Sequence, residues 1–477
     1  MIEKFEHKGL WFLPSNTERK VHGILKYDYE KNINVLELIG SFYDYSNQRN
    51  EKEDIILGIT TDDVDITLVD CYFSFLSGIP RNESDKFPNR RESALATLNF
   101  KVSSILKGQH IYNQEDLSFQ KIYVEIFNLD EWVGISGLEV ENDYSNGTKN
   151  IHYKYREPII VSISEDIDME IKFITNHPMK SRFTKELTLS QRTILSFHSK
   201  KYNTLNEFIY LLRKFNNFLS TSLQNPVRIQ EIELYSDKFI TLIDGQIEME
   251  KTIDAYQIIN PELKFDKKQQ DWEMLFTYSD IENNFETIIK KWFYNYEKFE
   301  EPFNLVLSQY YVSQYYLENL FINVAQAAES FHRRLELIDD TPKTGQDKEF
   351  NNKLERVLKS TPEDLIKWVE SKISKPQHYY DTRLRYILKE FSNSELDKMI
   401  GDHSKFVKNI KNSRDYYTHY NSRNKDNALH SVELIELYLR LRLLLICGFL
   451  IESGFEKNLL EKLIKEKTYN MFRDLTA

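Results

Sequence analysis

The hydrophobic period of this chain changes partway along, from about two residues to about 3.6, and that change calls for a two-part fold. Up to about residue 190, apolar and polar side chains alternate. "KVHGILKYD" (20–28) and "INVLELIGSF" (33–42) read as half-buried strands, as does "DVDITLVDCYFSF" (63–75), which puts Val64, Ile66 and Leu68 on one face. "LATLNFKVSSIL", "KIYVEIFNL" and "IHYKYREPIIVSI" continue the alternation, and Asn146-Gly147 supplies a turn signal between two such runs. The first part is therefore expected to be an antiparallel, β-rich domain. "TLNEFIYLLRKFNNFLSTSL" (204–223) then shows helical spacing of Phe208, Leu211, Leu212, Phe215 and Leu219, with Thr204 or Asn206 as cap. "VRIQEIELYS" returns to strand and closes this domain.

From Asp271 onward the spacing predicts helices. "SQYYVSQYYLENLFINVAQAAESFHRRLEL" (308–337) reads as one long helix, "LDKMIGDHSKFVKNIKNSRDYYTHY" (396–420) as another, and "IDDTPKTGQDKEFNN" (338–352) as a loop. Pro302, Pro342, Pro362 and Pro376 are expected between segments or at their starts, where helices tolerate proline. The expected fold class is α+β multidomain: a β-rich domain over 1–265, followed by an all-α helical bundle over 266–477. A chain of 477 residues is long enough for both.

Other classes are excluded. The net charge of −11 rules out a polycation that coats nucleic acid, so any such site must be a local basic patch. Cys71 and Cys447 are the only cysteines, which leaves no disulfide framework and no Cys-rich zinc site. The longest apolar run, "LLLICGFLI" (443–451), is far short of the ~20 residues that span a bilayer and reads as a buried helix. The opening segment "MIEKFEHKGLWFLPS" has no apolar core of a secretory signal, so a cytoplasmic location is expected, with no membrane partner. No His-x-His or His-Glu-x-x-His pair occurs, and no glycine-rich phosphate loop; neither a metal nor a cofactor is expected. "DDVDIT" (62–67) superficially matches a phosphotransferase nucleophile motif, but the alternation runs through it and puts Asp63 and Asp65 on the solvent side of a strand.

The chemistry concentrates in "KNSRDYYTHYN" (411–421). Asp415 and His419 are spaced i, i+4 and share a helix face, and Arg414 adjoins them. Cleaving RNA requires a base for the 2′-hydroxyl proton, an acid for the leaving 5′-oxygen and a cation for the phosphorane. A histidine, ordinarily titrating near ~6.5, serves as base or acid, and arginine offers phosphate a permanent bidentate fork. Asp415 would orient or polarise either. Spacing alone favours a surface helix with one salt bridge, because R-x-x-x-x-H is short and recurs by chance. The surroundings shift that balance. Between Gly401 and His430 there are six basic residues (Lys405, Lys408, Lys411, Arg414, Arg423, Lys425) against three acidic ones, in a chain that is acidic overall. Lys408 and Lys411 are candidates for the RNA backbone, and Tyr417 and Tyr420 for stacking on bases. Glu329, in "AQAAESFHRR", would position Arg414 from a neighbouring helix; an ion pair with Arg333 or Arg334 fits it equally.

"SRDYYTHY", leading into the apolar "VELIELYLRLRLLLICGFL", resembles the R-x(4–6)-H signature of HEPN domains. "LFTYSDIENNFETIIKKWF", "FINVAQAAESFHRR" and "RDYYTHY" are similar to the HEPN domain of ApeA-like anti-phage proteins. "GLWFLPSNTERKVHGILKYD", "FNLDEWVGISGLEV" and "FNNFLSTSLQNPVRIQEIELYS" resemble the ApeA N-terminal domain, so the likeness covers most of the chain. The resemblance implies a metal-independent endoribonuclease acting in abortive infection. It would be active as a homodimer or larger homo-oligomer, with two motifs meeting in one composite site. RNA would be its substrate, a phage-derived trigger of unknown identity its activator, and Arg414 and His419 its catalytic residues. The position after the arginine is commonly Asn in such motifs and is Asp415 here. HEPN toxins controlled by tyrosine modification often carry Tyr two residues after the His, where this chain has Asn421. Two other readings use the same residues: a non-catalytic HEPN module that only dimerises and binds, and a toxin restrained by a separate antitoxin.

Overall fold

The computed structural model describes residues 4–43, 51–77, 97–176, 185, 188–243, 247–258, 267–312, 316–336, 346–373 and 379–473. It divides into two compact units, residues 1–290 and 291–477.

The first unit opens with six strands: β1 (Lys4–Leu13), β2 (Asn16–Asp28), β3 (Ile33–Ile39), β4 (Lys52–Thr60), β5 (Asp65–Ser77) and β6 (Thr97–Lys107). Each pairs antiparallel with its neighbours in the order β6-β3-β2-β1-β4-β5, and β5 pairs back to β6. The six strands thus close into a barrel, which removes the free edges that an open sheet exposes. Inward-facing Trp11, Leu25, Leu36, Leu38, Ile56, Ile66, Leu68 and Phe100 fill it. Gly58 sits directly opposite Trp11, and a Cβ there would lie 2.3 Å from the indole ring, so the ring occupies the space that only glycine leaves.

β6 also feeds a second run of strands. Its end pairs with β16 (Ile253–Tyr256), and the sheet continues through β13 (Ile229–Tyr235), β7 (Phe119–Ile126), β12 (Gln191–Asn203), β11 (Ile167–Thr175) and β10 (Ile159–Ser162). Two separate hairpins, β8 (Leu138–Asp143) with β9 (Thr148–Tyr153) and β14 (Ile240–Ile243) with β15 (Ile247–Glu250), complete the strands among the described residues. The short α1 (Leu129–Val133) and the amphipathic α2 (Leu205–Leu223) pack on β12. As its sequence suggested, Thr204 caps α2, in a reciprocal capping box with Glu207. Trp132 of α1 donates to Ser222 at 2.8 Å and meets Phe215, Phe218, Tyr278 and Phe285 edge-on or tilted. α3 (Tyr278–Ile281) belongs to that same aromatic core.

α4 (Phe285–Leu307) carries the chain past the division between the units. The second unit then comprises α5 (Leu317–Glu336), α6 (Gln346–Lys359), α7 (Ile366–Lys372), α8 (Tyr380–Phe391), α9 (Ser394–Ile400), α10 (His403–His419), α11 (Ser431–Glu452) and α12 (Lys457–Arg473). α11 is its axis and packs on α5, α8, α9 and α10. Leu443 to Leu450 are all buried, as the apolar run predicted. Phe303, Phe331, Phe391 and Phe449 meet around α11, with neighbouring ring centroids 4.3–5.4 Å apart.

Several local expectations are corrected. Pro302 lies inside α4 rather than between segments, and Phe299, three residues earlier, leaves helical geometry (φ −108°, ψ 17°). A proline ring clashes with the carbonyl four residues back, so the helix kinks there. The long helix expected from Ser308 begins only at Leu317, after a 3₁₀ turn at Ser308–Tyr311. The expected loop over 338–352 overlaps α6, which starts at Gln346; the rest of that loop, with Pro342, and Pro376 lie outside the described residues. Residues 396–420 form two helices, because Gly401 takes a left-handed φ of +71° and Asp402 then caps a new start by accepting from the Lys405 amide at 2.9 Å. Asp63 sits in the turn before β5, at φ +59°, rather than on the strand.

Candidate active site

α10 carries the sequence-predicted residues. Its inner face is set by Phe406, Val407, Ile410, Ser413 and Tyr417, all buried. Arg414 stands at the margin of that face and keeps a third of its side chain exposed. Its Nη2 donates to Oε2 of Glu329 on α5 at 3.2 Å, and its Nη1 reaches Oδ1 of Asp415 at 3.5 Å. The expected contact between Glu329 and Arg414 is thus present. Glu329 also accepts from Arg333 at 2.8 Å, while Arg334 pairs instead with Glu301 at 2.6 Å. The guanidinium carbon of Arg414 lies 4.9 Å from the ring centroid of Tyr380, the first residue of α8.

His419 occupies the last turn of α10 and is exposed. Tyr420 then enters the left-handed region at φ +47° and ends the helix. Among the described residues His419 has no hydrogen bond or ion pair, and Asp415, expected to reach either neighbour, pairs with Arg414 alone. Lys408 and Lys411 are exposed on α10 and also carry no ion pair among the described residues. Tyr420 is 64% exposed.

Tyr417 differs from Tyr420. It is buried, and its hydroxyl donates to the Leu429 carbonyl at 2.9 Å and lies 2.7 Å from Nδ1 of His430. Burial pushes its phenol up to about 12, so the group stays protonated and able to donate. Ser413 accepts from the Leu429 amide at 3.0 Å. Together Ser413 and Tyr417 stitch the segment after His419 back onto α10. The expected stacking role of Tyr417 is not matched by this placement, because a closed-in ring offers no face to a base.

Sequence reasoning missed Tyr380, Ser413 and the bonding role of His430. Tyr380 precedes Arg414 by more than thirty residues, in a stretch without motif, and carries no signal of the contact. His332, on α5, is buried, with its Nδ1 3.0 Å from Nη1 of Arg383. Among the described residues no group of three or more His, Cys, Asp or Glu side chains is placed to hold a metal ion, and no helix is long and apolar enough to cross a membrane.

The arginine bound to Glu329, the exposed histidine on the same helix and the apolar α11 all belong to the helical domain. The family model for the Apea-like HEPN domain matches residues 322–459, which contain all of these groups. The model for ApeA N-terminal domain 1 matches residues 6–292 and so covers more than half of the chain. No curated protein and no solved structure matches. The two matches define a HEPN-based defence protein with a β-rich N-terminal domain. The chain belongs to the ApeA family.

Proposed function

We propose that the helical domain is a metal-independent endoribonuclease that acts in anti-phage defence, stopping an infected cell by cleaving RNA. HEPN domains are generally ribonucleases that dimerise and bind RNA. The observation that carries the reading is the contrast on α10 between a held cation and a free ring: Arg414 is fixed by Glu329, and His419 is exposed without a partner among the described residues. His419 takes the 2′-hydroxyl proton, and the 2′-oxygen attacks phosphorus. The bond to the 5′-oxygen breaks, and a protonated histidine returns a proton to that oxygen. The products are a 2′,3′-cyclic phosphate and a 5′-hydroxyl. Arg414 stabilises the charge that peaks on the phosphorane.

One Arg–His pair supplies too few groups for base, acid and phosphate clamp. Two copies therefore join about a two-fold axis, each giving one pair to a composite site. Lys408 and Lys411 steer the RNA backbone, Tyr420 stacks on a base, and Tyr417 holds the turn. Asp415 competes with phosphate for Arg414 and is not required for the chemistry. Residues 1–265 gate the activity in response to a phage-derived trigger, and the protein works in the cytoplasm.

The test is incubation of the purified protein with cellular RNA, with and without EDTA, followed by end-group analysis. Cyclic phosphate and 5′-hydroxyl ends are expected under both conditions. Cleavage that disappears with EDTA and returns with a divalent ion, the RNA fold being controlled for, would contradict the proposal, as would 3′-hydroxyl ends.

A further inference from the structure

Groups from three helices surround Arg414, and one of them was not in view from the sequence. Glu329 comes from α5 and Asp415 from α10 itself. The third is the Tyr380 ring at the start of α8, 4.9 Å from the guanidinium carbon. The Tyr380 hydroxyl donates to the Ala325 carbonyl at 2.9 Å. Ala325 lies four residues before Glu329, one turn earlier on α5, so a single stretch of that helix fixes both the ring and the carboxylate. Burial raises the phenol, although the nearby Arg414 pulls the other way, and the hydroxyl remains a donor.

A salt bridge fixes the distance of a guanidinium from one carboxylate but leaves it free to swing about that contact. A ring against its face removes this freedom, because the cation is drawn to the π surface. These two carboxylate contacts use one N–H on each Nη, leaving three of the five guanidinium donors for an incoming anion. We propose that Tyr380 is a positioning residue for Arg414: its ring sets the plane of the guanidinium, its hydroxyl ties the ring to α5, and the remaining donors are thereby presented to the scissile phosphate. This rests on Arg414 acting in RNA cleavage as proposed above.

The test uses the full-length protein. Tyr380→Phe keeps the ring and gives up the tether; Tyr380→Leu removes the π face and keeps apolar bulk. Tyr380→Leu should lower kcat about ten-fold. Its KM should stay within about two-fold of the wild-type value, because the lost interaction is made in the transition state. Tyr380→Phe should remain within about three-fold of wild type, since the π face is retained. In an Arg414→Ala background Tyr380→Leu should add no further loss, because it acts through the missing arginine. Thermal unfolding of each preparation separates these effects from misfolding, and Tyr380→Met replaces the Leu variant where the latter unfolds. A folded Tyr380→Leu protein that cuts at the wild-type rate overturns the proposal, as does an undiminished effect without Arg414.

If Arg414→Ala and His419→Ala both cleave like wild type, the proposed reaction fails, and Tyr380 is then judged without RNA. The Arg414 guanidinium signals in NMR, assigned by their loss in Arg414→Ala, should show slow rotation about the Nε–Cζ bond, with distinct Nη resonances, in wild type and Tyr380→Phe, and fast rotation with averaged resonances in Tyr380→Leu. Equal rotation in all three overturns the positioning role whatever the activity.

Discussion

The β unit and the helical unit both set carboxylates against cations, to different ends. In the β unit Glu170, nearly buried on β11, faces Lys172 at 3.0 Å, His198 at 3.2 Å and the Ser196 hydroxyl at 3.3 Å. Its partners come from the same strand and the one beside it, where register alone brings them together. In the helical unit Glu329, Tyr380 and Arg414 come from three helices, and His419 stands nearby in sequence with no partner among the described residues. A charge cluster that closes on itself stabilises a fold. A cluster assembled across helices that leaves donors and a ring uncommitted is equipped to meet a substrate.

Substitutions on the two sides of this comparison should separate cleanly. Arg414→Ala should lower RNA cleavage by about 10²–10³-fold, the usual cost of losing a group that stabilises transition-state charge. Its unfolding free energy should move by no more than about 0.5 kcal/mol, as for a partly exposed side chain. Arg414→Lys should fail nearly as badly, because an ammonium lacks the planar fork. Glu170→Ala should do the reverse: it leaves Lys172 and His198 without their carboxylate and should cost about 2–4 kcal/mol of stability, with cleavage per folded molecule unchanged. Denaturant unfolding and RNA cleavage on the same samples decide both, and a Glu170→Ala protein of full stability would break the comparison.

Gly58→Ala is expected to have a smaller effect, confined to the barrel. The new methyl group would meet the Trp11 ring and should cost about 1–3 kcal/mol as the ring shifts. An unchanged denaturation midpoint would show that the barrel interior is looser than its contacts indicate.

The smallest effects concern pH, and the units should differ in sign. In the β unit burial holds His198 below its ordinary value. The unfolded chain therefore takes the proton first as pH falls below ~6.5, and stability present above that pH is lost on acidification. His198→Gln should flatten the acid limb. In the helical unit burial pushes Tyr417 up to about 12. The unfolded tyrosine ionises first, near ~10, so its contribution is full below that pH and is lost as pH rises toward the native value. Tyr417→Phe should flatten the alkaline limb. Thermal unfolding of both variants against wild type across pH reads the two slopes, and matching slopes would remove this distinction.

The two units were also unequally legible in sequence. Strands β2 and β3 follow from clean alternation, and α10 with its Arg414 and His419 follows from a motif. The closure of the barrel does not, because it depends on β6 pairing with β3 and β5, and register between distant strands leaves no local trace. β12 was missed because Thr193 to Phe197 are buried on both faces, which erases the period of two. The kink at Phe299 was missed because Pro302 was taken for a boundary. At the site, the Glu329 contact was within reach because its carboxylate lies among apolar residues on a helix expected nearby. Tyr380 was not, because a ring that stacks on an arginine looks in sequence like any other aromatic residue on a helix.

His419 is proposed to perform chemistry rather than to hold structure, and one substitution separates the two roles. His419→Ala removes an exposed ring without a partner among the described residues, so its unfolding temperature should match wild type. General acid–base catalysis contributes about 10²–10⁴-fold, and RNA cleavage should fall by that amount. Cleavage and thermal unfolding measured on one preparation give the answer. A folded His419→Ala protein that cuts RNA at the wild-type rate would contradict the account.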